Sequence, residues 1–249
     1  MDQHKSLDLT LPTMPKRTPI LALICAAMPE EIAPFEAYAQ AQGTKTACGG
    51  GSLQLIQVED VSLGLLLTGI GLVNAAASLT SALTHVTPRY IFATGSAGGL
   101  SIEARVGQVV IGTSSTFGRA DASAFGYEIG QVPGMPASYP SDSALLDRAL
   151  KAGDDPQAKA RPGQFISSDA FVTEKNVEEM RQLFPRAYCA DMETAALAQV
   201  AYLADVAFLP VRGVSDLCGP LAHVENHQDA GVVSALAAKV TMKTLGLID

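Results

Sequence analysis

No apolar run in these 249 residues approaches the ~20 consecutive apolar positions of a membrane-spanning helix, so a helical span is excluded. Positive charge is scarce. Lys and Arg number 17 against 25 Asp and Glu, for a net charge of −8. A surface of that sign repels phosphate backbones and anionic headgroups, so neither nucleic acid nor a membrane is an expected partner. The four cysteines, Cys25, Cys48, Cys189 and Cys218, lie far apart and form no CxxC. A disulfide framework suits a smaller secreted chain; reduced thiols in a cytoplasmic protein are the expectation here. The opening MDQHKSLDLTLPTMPKRTP is polar and lacks the apolar middle of a signal peptide. Residues 1–18 therefore read as a mobile arm and 19–249 as one catalytic domain.

Cofactor and metal motifs are missing as well. There is no GxxxxGK[ST], which excludes a P-loop. Gly69-Ile70-Gly71 follows a strand, but Asn74 stands where a third glycine belongs, and no acid lies ~20 residues on to hold a ribose. Thr94-Gly95-Ser96-Ala97-Gly98 lacks the first glycine of GxSxG. His223 and His227 flank Glu225, but the glutamate is misplaced for HExxH and no third ligand is evident. No cofactor and no metal are expected.

What is present is an ordinary globular composition, 48% hydrophobic and 17% charged, enough for a sizeable core. Short apolar runs read as strands at 20–26, 53–58, 61–68, 90–94, 107–112, 163–167, 187–190 and 206–214. Helical patterns fall at 30–42, from 72 to about 85, and at 141–152, 176–183, 193–204 and 230–245. Their alternation predicts an α/β fold: a single-domain three-layer α/β/α arrangement with a central mixed, mostly parallel sheet. Residues 114–140 are rich in Gly, Pro, Ser and aromatics and too long for an ordinary connection, which marks a functional loop.

In such sheets ligands sit beyond the carboxyl ends of the strands. Three carboxylates stand at strand ends or helix starts there: Glu31, Glu193 and Asp216. Each also has a purely structural reading. Glu31 and Glu193 could complement helix dipoles, and Asp216 could be a helix N-cap. Their joint placement on one sheet edge favours a site.

The segments ATGSAGGL (93–100), DASAFGYEIGQVPGMPA (121–137), SSDAFV (167–172), DMETAALAQVA (191–201) and VRGVSD (211–216) resemble the 5′-methylthioadenosine/S-adenosylhomocysteine nucleosidases of the nucleoside phosphorylase superfamily. The resemblance runs from about residue 20 to 245. It implies a nucleoside phosphorylase-like fold and hydrolysis of the bond between adenine N9 and ribose C1′. Adenine leaves poorly as an anion, so the chemistry needs an acid at N7 and a carboxylate orienting water on the opposite face. By resemblance Asp216 is the acid, oriented by Ser215, and Glu31 holds the water, with Met28 beside it. Glu193 accepts from the ribose hydroxyls next to Met192. Phe171 stacks on adenine, the backbone at Val172 reads its edge, and Ser96 lies near water and sugar. To give up a proton near neutral pH, Asp216 needs a raised pKa or a tight hydrogen-bond relay.

The resemblance also implies a homodimer in which loop 114–140 crosses to the partner's 5′ pocket through Phe125 and Tyr127. The alternative for the loop is that its apolar groups fold back on their own domain. Three departures stand out: Pro29 in a run that is often acidic, Gly213 where alanine is common, and a segment after Asp216, LCGPLAHVENHQDAG, without the expected aromatic of the 5′ pocket. Two other functions compete. A phosphorylase would need a cationic cradle for phosphate, and a non-catalytic nucleoside-binding protein would be expected to have lost an acid or the water-holding glutamate.

Overall fold

A computed structural model describes residues 16–155, 158, 160–219 and 229–249. In chain order the elements are β1 (Thr18–Ala26), α1 (Pro29–Glu36), β2 (Ala41–Gln42), β3 (Thr46–Cys48), β4 (Gly51–Val58), β5 (Val61–Leu67), α2 (Leu72–Ala82), β6 (Val86–Gly99) and β7 (Val109–Phe117). They continue with β8 (Tyr139–Pro140), α3 (Ser143–Ala152), β9 (Arg161–Ser167), α4 (Val177–Leu183), β10 (Ala187–Asp191), α5 (Thr194–Leu203), β11 (Ala207–Asp216) and α6 (Ala230–Leu245). Most of the expected arm lies outside the described residues, and Thr18 is already paired with Val86.

The strands form one mixed sheet in the order β10-β9-β7-β11-β6-β1-β5-β4-β2. Strands β5, β1, β6 and β11 run parallel, as do β7, β9 and β10. The two blocks meet at the antiparallel β11–β7 seam. A further antiparallel pairing of β10 with β6 closes β6, β11, β7, β9 and β10 on themselves. That closure brings the ends of β6, β10 and β11 to one place.

Helices cover both faces. β1 shows why: its apolar run alternates between two cores, as a period of two requires. Ala22, Ile24 and Ala26 join a core that includes Phe35 of α1, Leu145 of α3 and Val240 of α6. Leu23 and Cys25 join the opposite core with Leu79 of α2 and Leu197 of α5. Gly213 of β11 has a steric reason to be glycine, since a Cβ there would lie 2.4 Å from the Val233 carbonyl oxygen of α6. Among the described residues no helix is long and apolar enough to cross a membrane.

Three elements differ most from the sequence expectation. The helix expected over 30–42 ends at Glu36. Pro34 lies inside it and donates no bond, and downstream Gln40 and Gly43 give their N–H groups to Gln57 and Leu55 of β4. The strand expected over 90–94 runs 14 residues, through the GSAGG segment. The loop expected from 114 starts later, because β7 continues to Phe117 and pairs Ser115 with Tyr139. Within that loop Tyr139 is buried and Met135 packs on the α2–α5 core, whereas Phe125 is 84% exposed. Folding back therefore describes Tyr139 and Met135 and leaves Phe125 pointing outward.

Candidate active site

A cavity of about 230 Å³ opens at the carboxyl edge of the sheet, and Glu31, Glu193 and Asp216 all line it. Each arrives there by a different route.

β1 runs out at Ala26, and α1 begins at Pro29 as a proline suits a first turn. Glu31 sits in that first turn, 1% exposed. Its Oε2 accepts from the N–H groups of Ala27 (3.0 Å) and Met28 (3.1 Å). Its Oε1 accepts from the N–H and the hydroxyl of Ser96, each at 2.8 Å. Gly95 makes this possible. It has φ +118°, and a Cβ there would stand 2.5 Å from the Glu31 carboxyl group. The glycine run of β6 thus leaves room for a buried carboxylate.

β11 ends on Ser215 and Asp216, both buried. Asp216 Oδ2 lies 3.0 Å from Ser215 Oγ, and Oδ1 accepts from the Cys218 N–H at 3.0 Å. The Ser215 hydroxyl also lies 3.3 Å from the Ala97 carbonyl. Its single proton serves one of the two at a time. Among the described residues Asp216 caps no helix; it bends the chain at the strand end. Ser215 is thus placed to hydrogen-bond the strand-end carboxylate.

β10 ends at Asp191, and Glu193 precedes α5. Glu193 Oε1 accepts from the Gly71 N–H at 3.0 Å, and its side chain makes no cap bond to α5. Burial pushes its carboxyl up to about 7; Arg212 opposes the shift and Asp191 adds to it.

Two residues of this site escaped the sequence reading, Arg212 and Asp191. Arg212 is 1% exposed inside β11. It pairs with Asp191 Oδ2 at 3.0 Å and with Glu193 Oε2 at 3.3 Å, and gives a third bond to the Ser96 carbonyl at 2.9 Å. Burial works against its charge, but the two carboxylates outweigh that and raise its pKa. The signal was visible: a single arginine interrupts the apolar run at 206–214, and a buried charge needs a partner.

The remaining candidates divide. Met28, Ser96, Met192, Phe171 and Val172 line the cavity. Phe171 is 59% exposed at its rim, while Val172 is buried. Their loop is tied down by Asp169, which accepts from the Leu72 N–H at 2.8 Å. Phe125 and Tyr127 do not line the cavity of their own chain. Cys218 also lines it, with its thiol pushed up to about 12 by burial, so it is a neutral wall rather than a nucleophile. His223, Glu225, His227 and the segment from Pro220 to Gln228 lie outside the described residues.

A partly closed mixed sheet carrying acids at the ends of β10 and β11 and in the helix after β1 defines a class, the phosphorylase superfamily, whose family model matches residues 21–246. A 5′-methylthioadenosine/S-adenosylhomocysteine nucleosidase of Staphylococcus carnosus is 35% identical over 189 residues, 76% of this chain and 83% of the relative. One from Halalkalibacterium halodurans is 36% identical over 190 residues, 76% and 82% of the two chains. The nucleosidase of Neisseria meningitidis, solved with methylthio-immucillin-A, superposes with a TM-score of 0.86 at 31% identity, covering 92% of this chain and 99% of that one. That of Colwellia psychrerythraea, solved with adenine, superposes at 0.84 with 28% identity, covering 92% and 95%. The chain belongs to the 5′-methylthioadenosine/S-adenosylhomocysteine nucleosidase family.

Proposed function

We propose that the chain hydrolyses the N-glycosidic bond of 5′-methylthioadenosine and S-adenosylhomocysteine, releasing adenine and the free ribose derivative. The observation that carries this is the set of Glu31, Glu193 and Asp216 around one cavity. Bond cleavage at C1′ builds positive charge on the sugar and negative charge on the purine. An acid belongs at the purine edge and carboxylates belong around the sugar. Asp216 gives its proton to N7, with Ser215 as the hydroxyl that turns toward it. Glu193 accepts from the ribose hydroxyls. Phe171 stacks on adenine from the rim, and the buried backbone at Val172 meets its edge.

Glu31 holds the water. Its carboxylate has about four acceptor positions, and all are taken by Ala27, Met28 and Ser96. The Ser96 hydroxyl is the only rotatable donor of the four. It turns away to let water bond to Oε1, which places Ser96 beside the nucleophile.

Water is favoured over phosphate by charge. Among the described residues the cavity is lined by four acids, Glu31, Asp191, Glu193 and Asp216, and one cation, Arg212. Arg212 is already paired with Asp191 and Glu193. Among the described residues no cationic cradle remains for a phosphate dianion.

The dimer and the compartment belong to the same reading. Val73 of α2, Tyr202 and Leu203 of α5 and Phe125 of the loop are large exposed apolar groups, and α2 packs against α5. An exposed apolar surface of this kind suits a second copy. Phe125 and Tyr127 would cross to the partner's 5′ pocket. Four free, buried thiols suit the cytoplasm.

The test is adenine release from 5′-methylthioadenosine in phosphate-free buffer. Turnover there is the expected result. No release without phosphate points to the phosphorylase, and binding without release under either condition points to a binding protein.

A further inference from the structure

Arg212 offers one guanidinium to two carboxylates. Its Nε lies 3.0 Å from Asp191 Oδ2 and 3.0 Å from Thr194 Oγ1, while its Nη2 reaches Glu193 Oε2 at 3.3 Å. Nη1 is spent on the Ser96 carbonyl. Neither acid therefore has the two parallel bonds of a bidentate pair.

The sharing is unequal. Asp191 Oδ1 accepts from Ser167 Oγ, from Glu193 N (3.2 Å) and from Thr194 N (3.1 Å), and Oδ2 accepts from the Thr194 hydroxyl. Asp191 is thereby held by four donors at the end of β10, with the closer contact to Arg212. Glu193 has the Gly71 N–H and the more distant end of the fork. The charged groups facing Glu193 are Arg212 from β11, Asp191 from β10 and Glu31 from α1. The thiols of Cys25 and Cys189 near Arg212 are pushed up by burial and stay neutral. One shared cation thus stands among three acids.

We propose that Asp191 is a positioning residue that draws Arg212 away from Glu193, leaving the Glu193 carboxyl only partly neutralised and so making recognition of the sugar hydroxyls depend on pH. Glu193 stays proton-responsive because burial, with Asp191 adding a like charge, outweighs the shared Arg212. The direction of its titration, up to about 7, agrees. The consequence for ligands rests on the proposed reading of Glu193 as the ribose acceptor; the coupling between the two acids does not.

The coupling is tested without turnover. Ligand-free protein labelled with 13C at the glutamate carboxyls is titrated by NMR, and the Glu193 signal is assigned with Glu193→Gln. The wild-type midpoint is expected near 7. In Asp191→Asn it should fall by about one pH unit or more, as removal of an adjacent like charge dictates. Asp191→Ser, which packs differently and also removes the charge, should do the same if the Asn variant folds poorly. Asp191→Glu should stay near the wild type. A Glu193 midpoint unchanged or raised in the charge-free variants overturns the proposal, as does a wild-type midpoint in the ordinary carboxylate range.

The second readout is KM for 5′-methylthioadenosine. A group titrating near 7 makes KM about tenfold higher at pH 6 than at pH 8; one unit lower, the ratio shrinks to about twofold. Adenine binding should be flat in both proteins. Failure to hydrolyse 5′-methylthioadenosine would sink the proposed function but leave the NMR result to decide the role of Asp191.

Discussion

Asp216 has one oxygen on a hydroxyl that can rotate and the other on a backbone N–H that cannot. Asp216→Asn keeps that shape and removes the transferable proton. Turnover should fall at least ~10²-fold, the lower scale of a general acid's contribution, with nucleoside binding kept. Near-normal turnover would reduce Asp216 to a chain-bending residue. Glu193 predicts a pH dependence. Its ordinary value is 4.5, and the folded protein raises it to about 7. The folded state thus holds the proton more tightly, so this residue's share of stability declines as pH rises from about 4.5 to about 7. Acceptance of ribose hydroxyls has the opposite sign, since it needs the ionised form. We expect kcat/KM for 5′-methylthioadenosine to rise with pH through about 7 and Glu193→Gln to abolish that rising limb; a wild-type profile flat between pH 5 and 8 contradicts the assignment. The three acids were legible in sequence because each punctuates a strand end or a helix start. The pairing of Arg212 with Asp191 was not: a lone arginine in an apolar run signals a buried charge but not its partner, and β10 and β11 meet only because both pair with β6.

At the scale of elements, pattern located the strands and helices, and backbone hydrogen bonding set their ends. The periodicity over 30–42 looks helical past Glu36, yet β4 takes the donors of Gln40 and Gly43. The glycines of 95–99 look like a turn, yet they continue β6 because Glu31 and β11 press against them. Over residues 114–140 composition showed that the apolar groups needed burial but not where. Tyr139 is buried with its ring edge-on to Phe117 and Tyr202, while Phe125 stays 84% exposed. That division yields a prediction for the loop. Phe125→Asp would place an unpaired charge in the proposed contact between subunits. Dimerisation should weaken and KM should rise for substrates with a bulky thioether, with adenine recognition less affected. Light scattering of a fully active wild-type monomer at micromolar concentration would contradict the crossing loop.

On the scale of the whole molecule, the net charge of −8 and the acid-lined cavity point the same way. Both disfavour a phosphate co-substrate, and the sheet closure supplies the geometry by delivering the ends of β6, β10 and β11 to one rim. The central claim is that water, held by Glu31, is what attacks the sugar. The most direct measurement is the identity of the sugar product when 5′-methylthioadenosine turns over in excess inorganic phosphate. Free 5-methylthioribose alone, at a rate that phosphate does not increase, is the predicted result. A ribose 1-phosphate product would contradict it.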